Sequence, residues 1–336
     1  MITQLALVKL GPGLESVGVV ERPVQEPLDH EVVVDVIAAG ICGTDLHIAS
    51  DEYVSDPPVT MGHEVTGRVS RVGRLVDPDW VGQRVVCETY RSTCEECEQC
   101  RNGRRNLCVR RRSIGSMEDG AFAKQVVLPA RNLHRVPESV SEYAAALAEP
   151  LACVCHCLLD PAIVNVGDDV LVVGPGPMGN LAAQVAKSMG ARVVLSGLQA
   201  DADRLTIARG LGIETTTERP ASAAFDVVIE CSGSAGGIAV ALDAASPAAR
   251  YVAVGICGSD VLVPLDKVLY KELTVTSGFA TTPEAWKRAL RLMDSGAVQL
   301  DPLVTGVVAL DDWRSAFEAL RSGDGLKVLI DPRREA

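Results

Sequence analysis

The chain has 336 residues, of which 47% are apolar and 23% are charged, and its formal net charge is −12. This length suggests two domains, and the apolar content is high enough to exclude intrinsic disorder as the default. The acidic charge argues against nucleic acid as the main partner, because binding to phosphates needs a basic surface.

The sequence also bears on the cellular compartment. No stretch approaches the roughly 18 consecutive apolar residues that a membrane span needs. Residues 1–15 lack the basic segment and the long apolar run of a secretory signal. Eleven cysteines in such a chain favour a reducing environment. We therefore expect a cytoplasmic protein that does not associate with membranes.

The predicted elements change character along the chain. Short β-branched segments separated by Gly and Pro predict a β-rich region over residues 1–150. An Ala-rich segment around residues 141–159 predicts a helix. From residue 169, continuous apolar strands alternate with helices, which predicts a parallel sheet covered on both faces. Two helices and a strand are predicted after residue 283.

Three short motifs in the first half contain residues that bind metals. The segment GICGTDLH contains Cys42, MGHE contains His63 and Glu64, and AEPLA contains Glu149. A thiolate, an imidazole and a carboxylate with one open coordination position are typical of catalytic zinc. Each residue alone is more often packed than bound to metal, so the hypothesis depends on their occurring together.

A second set of thiols lies in the segment STCEECEQCRNGRRNLCV. It comprises Cys94, Cys97, Cys100 and Cys108, and a reducing compartment disfavours disulfides among them. Four thiolates without an imidazole are typical of a closed structural zinc site, with an iron–sulfur cluster as the rival. The last gap is longer than in a bacterial ferredoxin motif and Val109 follows instead of proline, which favours zinc. The lobe, residues 88–112, has few apolar residues, so a metal would supply its folding energy.

A dinucleotide site is predicted by Gly174, Gly176 and Gly179, which have G-x-G-x-x-G spacing. They follow a predicted strand and precede a helix that begins near Pro177 and Met178. Such glycines allow the tight turn, the close approach of pyrophosphate and the packing of helix on strand, and the helix N-terminus offers free N–H groups.

The choice between NAD and NADP depends on the end of the next strand. An acid there would bind the ribose of NAD, but Ser196 and Gly197 occupy this place and Asp201 comes later. No arginine follows immediately, and Arg204 is the nearest. The prediction favours NAD slightly over NADP.

In their order and spacing, these motifs resemble the zinc-dependent medium-chain dehydrogenase/reductase family across essentially the whole chain. The glutamate of AEPL resembles its sorbitol and polyol dehydrogenase branch. The resemblance implies an α/β protein with a GroES-like β-rich catalytic domain (1–150) and a Rossmann coenzyme domain with a doubly wound parallel sheet (151–283). It also implies that residues 284–336 return to the catalytic domain.

Two departures from the family pattern stand out. The acid at the end of the second nucleotide-binding strand is missing, and ACVCHC is rich in thiols. Its Cys153, Cys155 and Cys157 do not share one helix face around His156, so we interpret them as small core side chains.

The resemblance further implies a ligand set. Cys42 and His63 would bind the catalytic zinc, with Glu64 or Glu149 as a further ligand in different states. Asp45 would orient His63. With the four-cysteine lobe, two zinc ions per chain are expected.

The resemblance also implies a reaction. Thr44 would take the proton of the alcohol, and His47 would pass it through the cofactor ribose to solvent, while hydride moves between NAD(P) and a secondary alcohol. The expected substrates are polyols, sugars, cyclitols or amino alcohols, and the expected assembly is a homodimer or homotetramer.

Alternatives remain at this point. They are an activity similar to L-threonine 3-dehydrogenase, an aminocyclitol or other specialised-metabolite substrate, and a dinucleotide-binding sensor that has lost catalysis. The sensor would lack Cys42, His63 or a proton-relay residue, and all of these are present. The acidic loop with Asp51, Glu52 and Asp56 is either a solvated loop or a pocket rim that favours polyhydroxylated or amine-bearing substrates.

Overall fold

The structure, a computed structural model, describes residues 3–335. Within this range the backbone forms eighteen β-strands and nine α-helices. The strands are β1 (Thr3–Lys9), β2 (Val17–Pro23), β3 (Glu31–Gly40), β4 (Val59–Thr60), β5 (Glu64–Val72), β6 (Arg84–Cys87), β7 (Tyr90–Ser92), β8 (Arg112–Ser113), β9 (Gln125–Pro129), β10 (Leu133–Arg135), β11 (Asp169–Val173), β12 (Arg192–Ser196), β13 (Glu214–Thr216), β14 (Phe225–Glu230), β15 (Ala245–Ala253), β16 (Thr274–Ser277), β17 (Val304–Val308) and β18 (Lys327–Ile330). The helices are α1 (Gly43–Ala49), α2 (Glu98–Arg101), α3 (Ala148–Leu159), α4 (Pro177–Ser188), α5 (Ala202–Gly210), α6 (Ala235–Ala244), α7 (Leu265–Tyr270), α8 (Pro283–Asp294) and α9 (Trp313–Ser322).

The chain divides into two compact units. The first comprises the residues up to Glu149 and those from Val304 onward, and the second is the continuous segment Pro150–Leu303. The sequence predicts a boundary after residue 283, but the second unit extends to Leu303. The reason lies in packing: Trp286 of α8 is fully buried, and Gln184 of α4 forms two hydrogen bonds with the backbone of Gln299.

A seven-stranded sheet forms the centre of the first unit. Its strand order is β10-β6-β5-β3-β18-β17, with β9 also paired to β3. β3 is buried at nearly every position, as its run of Val, Ile and Ala requires. β18 pairs with β3 at Gly40 and Ala39, so the last strand of the chain completes this sheet. Trp313 and Phe317 of α9 pack into the same core.

The second unit contains a six-stranded sheet in which every neighbouring pair is parallel. Its strand order is β13-β12-β11-β14-β15-β16, which is the order of a Rossmann fold. This confirms the predicted doubly wound sheet. The strand order reverses between β11 and β14, and ligands of such sheets bind beyond the carboxyl ends of the strands at this place.

No helix within residues 3–335 combines the length and the apolar character needed to cross a membrane.

Candidate metal and dinucleotide sites

Three of the predicted metal ligands lie together in the first unit. Cys42 is the N-cap residue of α1, directly after β3, and His63 and Glu64 stand where β5 begins. β3 and β5 are paired, with Gly40 opposite Glu64. The ligand atoms of Cys42, His63 and Glu64 all lie within 4.8 Å of one another. We call these three residues the metal group.

Asp45 supports the metal group from α1. Its fully buried carboxylate accepts a hydrogen bond from the Cys42 backbone N–H (2.8 Å) and lies 3.6 Å from Nδ1 of His63. Because Nδ1 of His63 faces Asp45, we expect Nε2 to bind the metal. Burial alone would lower the pKa of His63, but the Asp45 carboxylate and the neighbouring Cys42 raise it well above its usual value. Metal binding needs the neutral imidazole and would displace that proton.

A buried cation, Lys327, lies beside the metal group. Its Nζ donates to both carboxylate oxygens of Glu64 at 2.8 Å and to the Ile41 carbonyl at 3.1 Å. Lys327 and Glu64 are 3% and 1% exposed. A Cβ at Gly40 would lie 2.0 Å from the Glu64 carboxylate, so a larger residue there would force this carboxylate out of its position. The sequence analysis does not identify Lys327, because no motif around it indicates that it pairs with Glu64, which lies 263 positions earlier.

The charges of this region suit a divalent cation. Glu64 and Asp45 are buried carboxylates, Cys42 adds a third negative charge when it binds metal as a thiolate, and Lys327 is the facing cation. Three negative charges against one positive charge leave two in excess. Uncompensated charge is costly in a buried site, so a dication fits where a monovalent ion does not.

Glu149, the fourth predicted ligand, is not part of the metal group. It lies near the start of α3, is 7% exposed, and contributes to raising the pKa of the buried Cys87 thiol, an effect due chiefly to burial. The predicted relay residues Thr44 and His47 both lie on α1. Nδ1 of His47 is 2.7 Å from the carboxylate of Glu52.

The acidic loop after α1 is occupied by ion pairs. Asp51 pairs with Lys9 at 2.7 Å, and Asp56 pairs with Arg112 at 2.8 Å. The Glu52 carboxylate lies beside Nδ1 of His47. These contacts give no support to the hypothesis that the loop is a rim for amine-bearing substrates, since each carboxylate already has a basic partner.

The four cysteines of the lobe form a cage. Their sulfur atoms lie within 4.8 Å of one another, and Cys94 is 3.9 Å from Cys100 and 3.5 Å from Cys108. A tetrahedral site with zinc–sulfur bonds of about 2.3 Å has sulfur atoms about 3.8 Å apart. The backbone N–H groups of Cys94, Cys97 and Cys100 donate to sulfur atoms of the cage at 3.3–3.5 Å.

The thiols of the cage differ in acidity. The backbone N–H of Cys97 lowers the pKa of Cys94 to about 6, whereas burial raises the pKa of Cys100 to about 12. Four thiolates therefore need a cation at neutral pH. Outside the cage, burial raises the pKa of Cys155 to about 12 and that of Cys157 to about 11, as expected for core thiols.

The glycine turn of the second unit has the expected geometry. Gly174 has φ +99°, and a Cβ there would lie 2.8 Å from the backbone of Ser232. A Cβ at Gly179 would meet the carbonyl oxygen of Gly174 at 1.9 Å. Gly176 is the N-cap of α4, which begins with Pro177 and Met178, and the space beside it is open. A pyrophosphate could approach the backbone at this glycine.

The end of β12 has no room for an acidic side chain at Gly197. A Cβ at Gly197 would lie 2.7 Å from the ring of Pro175 and 3.3 Å from Cβ of Asp201. The Asp201 carboxylate accepts a hydrogen bond from the Leu198 N–H (2.8 Å) and lies 3.8 Å from Arg204. Asp201 is thus the acid nearest to the place where the strand-end acid is missing.

Comparisons with known proteins relate both units of the chain to dehydrogenases. The model of an alcohol dehydrogenase GroES-like domain matches residues 28–138, and that of a zinc-binding dehydrogenase matches residues 177–295. A sorbitol dehydrogenase from Halalkalibacterium halodurans is 37% identical over 97% of this chain and 99% of its own. An L-threonine 3-dehydrogenase from Escherichia coli is 33% identical over 94% and 96%. A solved structure from Sinorhizobium meliloti 1021, described as a zinc-binding dehydrogenase bound to NADP, has 30% identity and a TM-score of 0.89, with 99% of this chain and 100% of that chain covered.

Replacing Cys97 by serine should remove one metal ion and leave the other. Wild-type protein should contain about two zinc ions per chain, and Cys97→Ser and Cys42→Ser about one each, since the two sites use separate ligands. Elemental analysis after dialysis measures this. Cys257→Ser, outside both groups, is the control. Loss of both ions from Cys97→Ser in a folded protein would contradict two independent sites.

Replacing Lys327 by methionine should destabilise the first unit. The change keeps the aliphatic length but leaves Glu64 buried without its cation, and breaking a buried pair costs about 3–5 kcal/mol. The midpoint of urea unfolding, with zinc supplied, should fall, and adding Glu64→Gln should restore much of it. The control is Lys267→Met, whose more exposed pair with Asp243 should contribute about 0–1 kcal/mol. Equal midpoints for both single variants would show that the buried pair does not stabilise the fold.

Proposed function

The chain belongs to the zinc-dependent medium-chain dehydrogenase/reductase family, and we propose that it interconverts a secondary alcohol of a polyol or sugar with the corresponding ketone. The observation that carries this proposal is the metal group, Cys42, His63 and Glu64, within 4.8 Å. The similarity to a sorbitol dehydrogenase over nearly the full length supports the polyol class. The similarity to an L-threonine 3-dehydrogenase favours L-threonine as the second candidate substrate.

The residues of the chain divide the work. When bound, zinc supplies a Lewis acid and the nicotinamide dinucleotide accepts or donates hydride. Cys42 and His63 hold the metal, with Glu64 or Glu149 as the carboxylate ligand. The Thr44 hydroxyl accepts the proton of the alcohol, and His47 carries it onward.

We assign a second, structural zinc ion to the cage of Cys94, Cys97, Cys100 and Cys108. A closed four-thiolate site has no position for a substrate, so its role is to hold the lobe together. The cage and the eleven free cysteines suit a reducing compartment, and we propose a cytoplasmic location on this ground.

For the cofactor we propose NAD. Asp201 lies beside Gly197 and its carboxylate is held at the Leu198 N–H, and a negative charge there disfavours the additional phosphate of NADP. Arg204 is already paired with Asp201. Because the similar Sinorhizobium meliloti structure holds NADP, both cofactors belong in any test.

We also propose that the chain forms at least a homodimer through the edge of the parallel sheet. β16 is the last strand in the sheet order, and its Val275 is 52% exposed. The preceding segment exposes further large apolar side chains: Leu262, Leu265, Leu269 and Tyr270. An exposed edge strand beside an apolar surface is a natural place for pairing with a second copy.

A substrate panel tests the proposed reaction. It contains polyols, polyol phosphates, sugars, L-threonine and aminocyclitols, each with NAD and with NADP, and the absorbance of the reduced nicotinamide is followed. We expect the highest kcat/KM for a polyol with NAD. Thr44→Val should lower kcat about a hundredfold or more, since it removes the hydroxyl that accepts the proton. Thr44→Ser, which keeps the hydroxyl, is the matched control.

The panel can contradict the proposal in two ways. The highest activity with L-threonine would replace the polyol assignment by the second candidate. No oxidation of any secondary alcohol by the zinc-loaded protein, with either cofactor, would refute the proposed function.

The double variant Leu269→Lys and Val275→Lys should dissociate the assembly. Charged side chains on the exposed strand and on α7 oppose pairing of two copies. Light scattering should give at least twice the chain mass for wild type and the chain mass for the variant. The control is Val166→Lys, at a residue that is 85% exposed elsewhere in the same unit. A monomeric wild type would refute the proposed assembly.

A further inference from the structure

A fully buried lysine near the N-terminus ties down the end of α1. Lys9 of β1 is 0% exposed, and its Nζ lies 2.7 Å from the Asp51 carboxylate. The same nitrogen donates to the carbonyl oxygens of Ala49 and Gly13, each at 3.0 Å. An ammonium group has three protons to donate, and all three find acceptors here. The residues just after α1 are therefore fixed to β1.

Asp51 forms the turn that follows the helix. Its φ is +62°, in the left-handed region that aspartate tolerates better than most residues. Its second carboxylate oxygen accepts the Gly13 N–H at 2.6 Å. The hydrogen bond from Lys9, followed by that from Gly13, lowers the pKa of Asp51. The ionised carboxylate holds the turn in this conformation.

The turn brings Glu52 back onto the helix. The Glu52 N–H donates to the carbonyl oxygen of His47 at 2.8 Å, and the Glu52 carboxylate lies 2.7 Å from Nδ1 of the same histidine. From α9, Arg321 donates to the Leu46 carbonyl oxygen and to the Ser50 hydroxyl. These contacts restrain the backbone on both sides of His47. The Glu52 and His47 side chains are therefore held close together by the backbone.

We propose that Glu52 is a positioning residue for the proton relay. Its carboxylate accepts a hydrogen bond from the protonated Nδ1 of His47, so that Nε2 carries no proton and can take up the one that leaves the alcohol. An ionised carboxylate can only accept, so the proton between the two groups belongs to Nδ1. The partner of one ring nitrogen sets the tautomer and orientation of an imidazole. The inference rests on the proposed function, in which His47 follows Thr44 in the relay.

The test combines a spectroscopic and a kinetic readout on the zinc-loaded protein. Protein labelled with 15N in its five histidines is studied by long-range 1H–15N NMR, and His47→Gln assigns the His47 signal. Glu52→Met keeps the side-chain length without an acceptor and lies at a half-exposed position. The control is Glu26→Met, which breaks the exposed pair of Glu26 with Arg71.

In wild type, we expect His47 to be protonated at Nδ1. In Glu52→Met, its ring nitrogens should shift towards a mixture of tautomers, and kcat should fall at least about tenfold with KM values within about twofold of wild type. Glu26→Met should match wild type in both readouts.

Two results would overturn the inference, and they differ in meaning. An unchanged His47 tautomer in Glu52→Met would show that Glu52 does not position the ring, whatever the activity. A shifted tautomer with wild-type kcat in both Glu52→Met and His47→Gln would refute the relay of the proposed function and, with it, the role of Glu52.

Discussion

The buried pair between Lys327 and Glu64 is the contact on which the first unit depends. It joins β18 to β5, which begins with Glu64 of the metal group, across β3. Each charge offsets the cost of burying the other. Gly40 leaves room for the Glu64 carboxylate, because a Cβ there would lie 2.0 Å from it. The position of Glu64 in the metal group and the pairing of β18 in the sheet therefore both depend on the ion pair between Lys327 and Glu64.

This pair also restrains Glu64. A carboxylate held by both oxygens to an ammonium group is not free to turn fully towards a metal, although it lies within reach of Cys42 and His63. The Cys42 thiolate and the His63 imidazole are then the ligands of the group that no cation restrains, and Asp45 orients the imidazole. The site thus combines rigid ligands with one carboxylate whose place depends on a competing cation.

The cysteine cage and the glycine turn can be predicted from sequence, whereas the pair of Lys327 with Glu64 cannot. The cysteine cage and the glycine turn are local: their members lie a few residues apart, and spacing alone carries the chemistry. The sheet of the second unit is similarly visible, because alternating apolar strands and helices permit few topologies. Lys327 is different, since its partner lies 263 positions earlier. No periodicity connects such residues, and the contact exists only because β18 pairs with β3.

The same limit explains the smaller differences. The sequence shows α8 as a helix but cannot say which core its Trp286 enters, so the domain boundary is misplaced. The acidic loop reads as three free carboxylates, because the lysine that holds Asp51 lies in β1 and the arginine that holds Asp56 lies in β8. The sequence of the loop shows that it carries three acidic side chains, but which basic residues pair with them depends on the fold.

The discontinuity of the first unit has a consequence for synthesis. The second unit is one continuous segment that is complete once residue 303 has been made, whereas the first unit still lacks β17 and β18 at that point. Glu64 thus has to wait, without its cation, while more than half of the chain is still being added. The Glu64 carboxylate can therefore reach its final environment only after the whole of the second unit has been synthesised. A chain that stopped before β18 would leave Glu64 without Lys327 while still containing every strand of the parallel sheet.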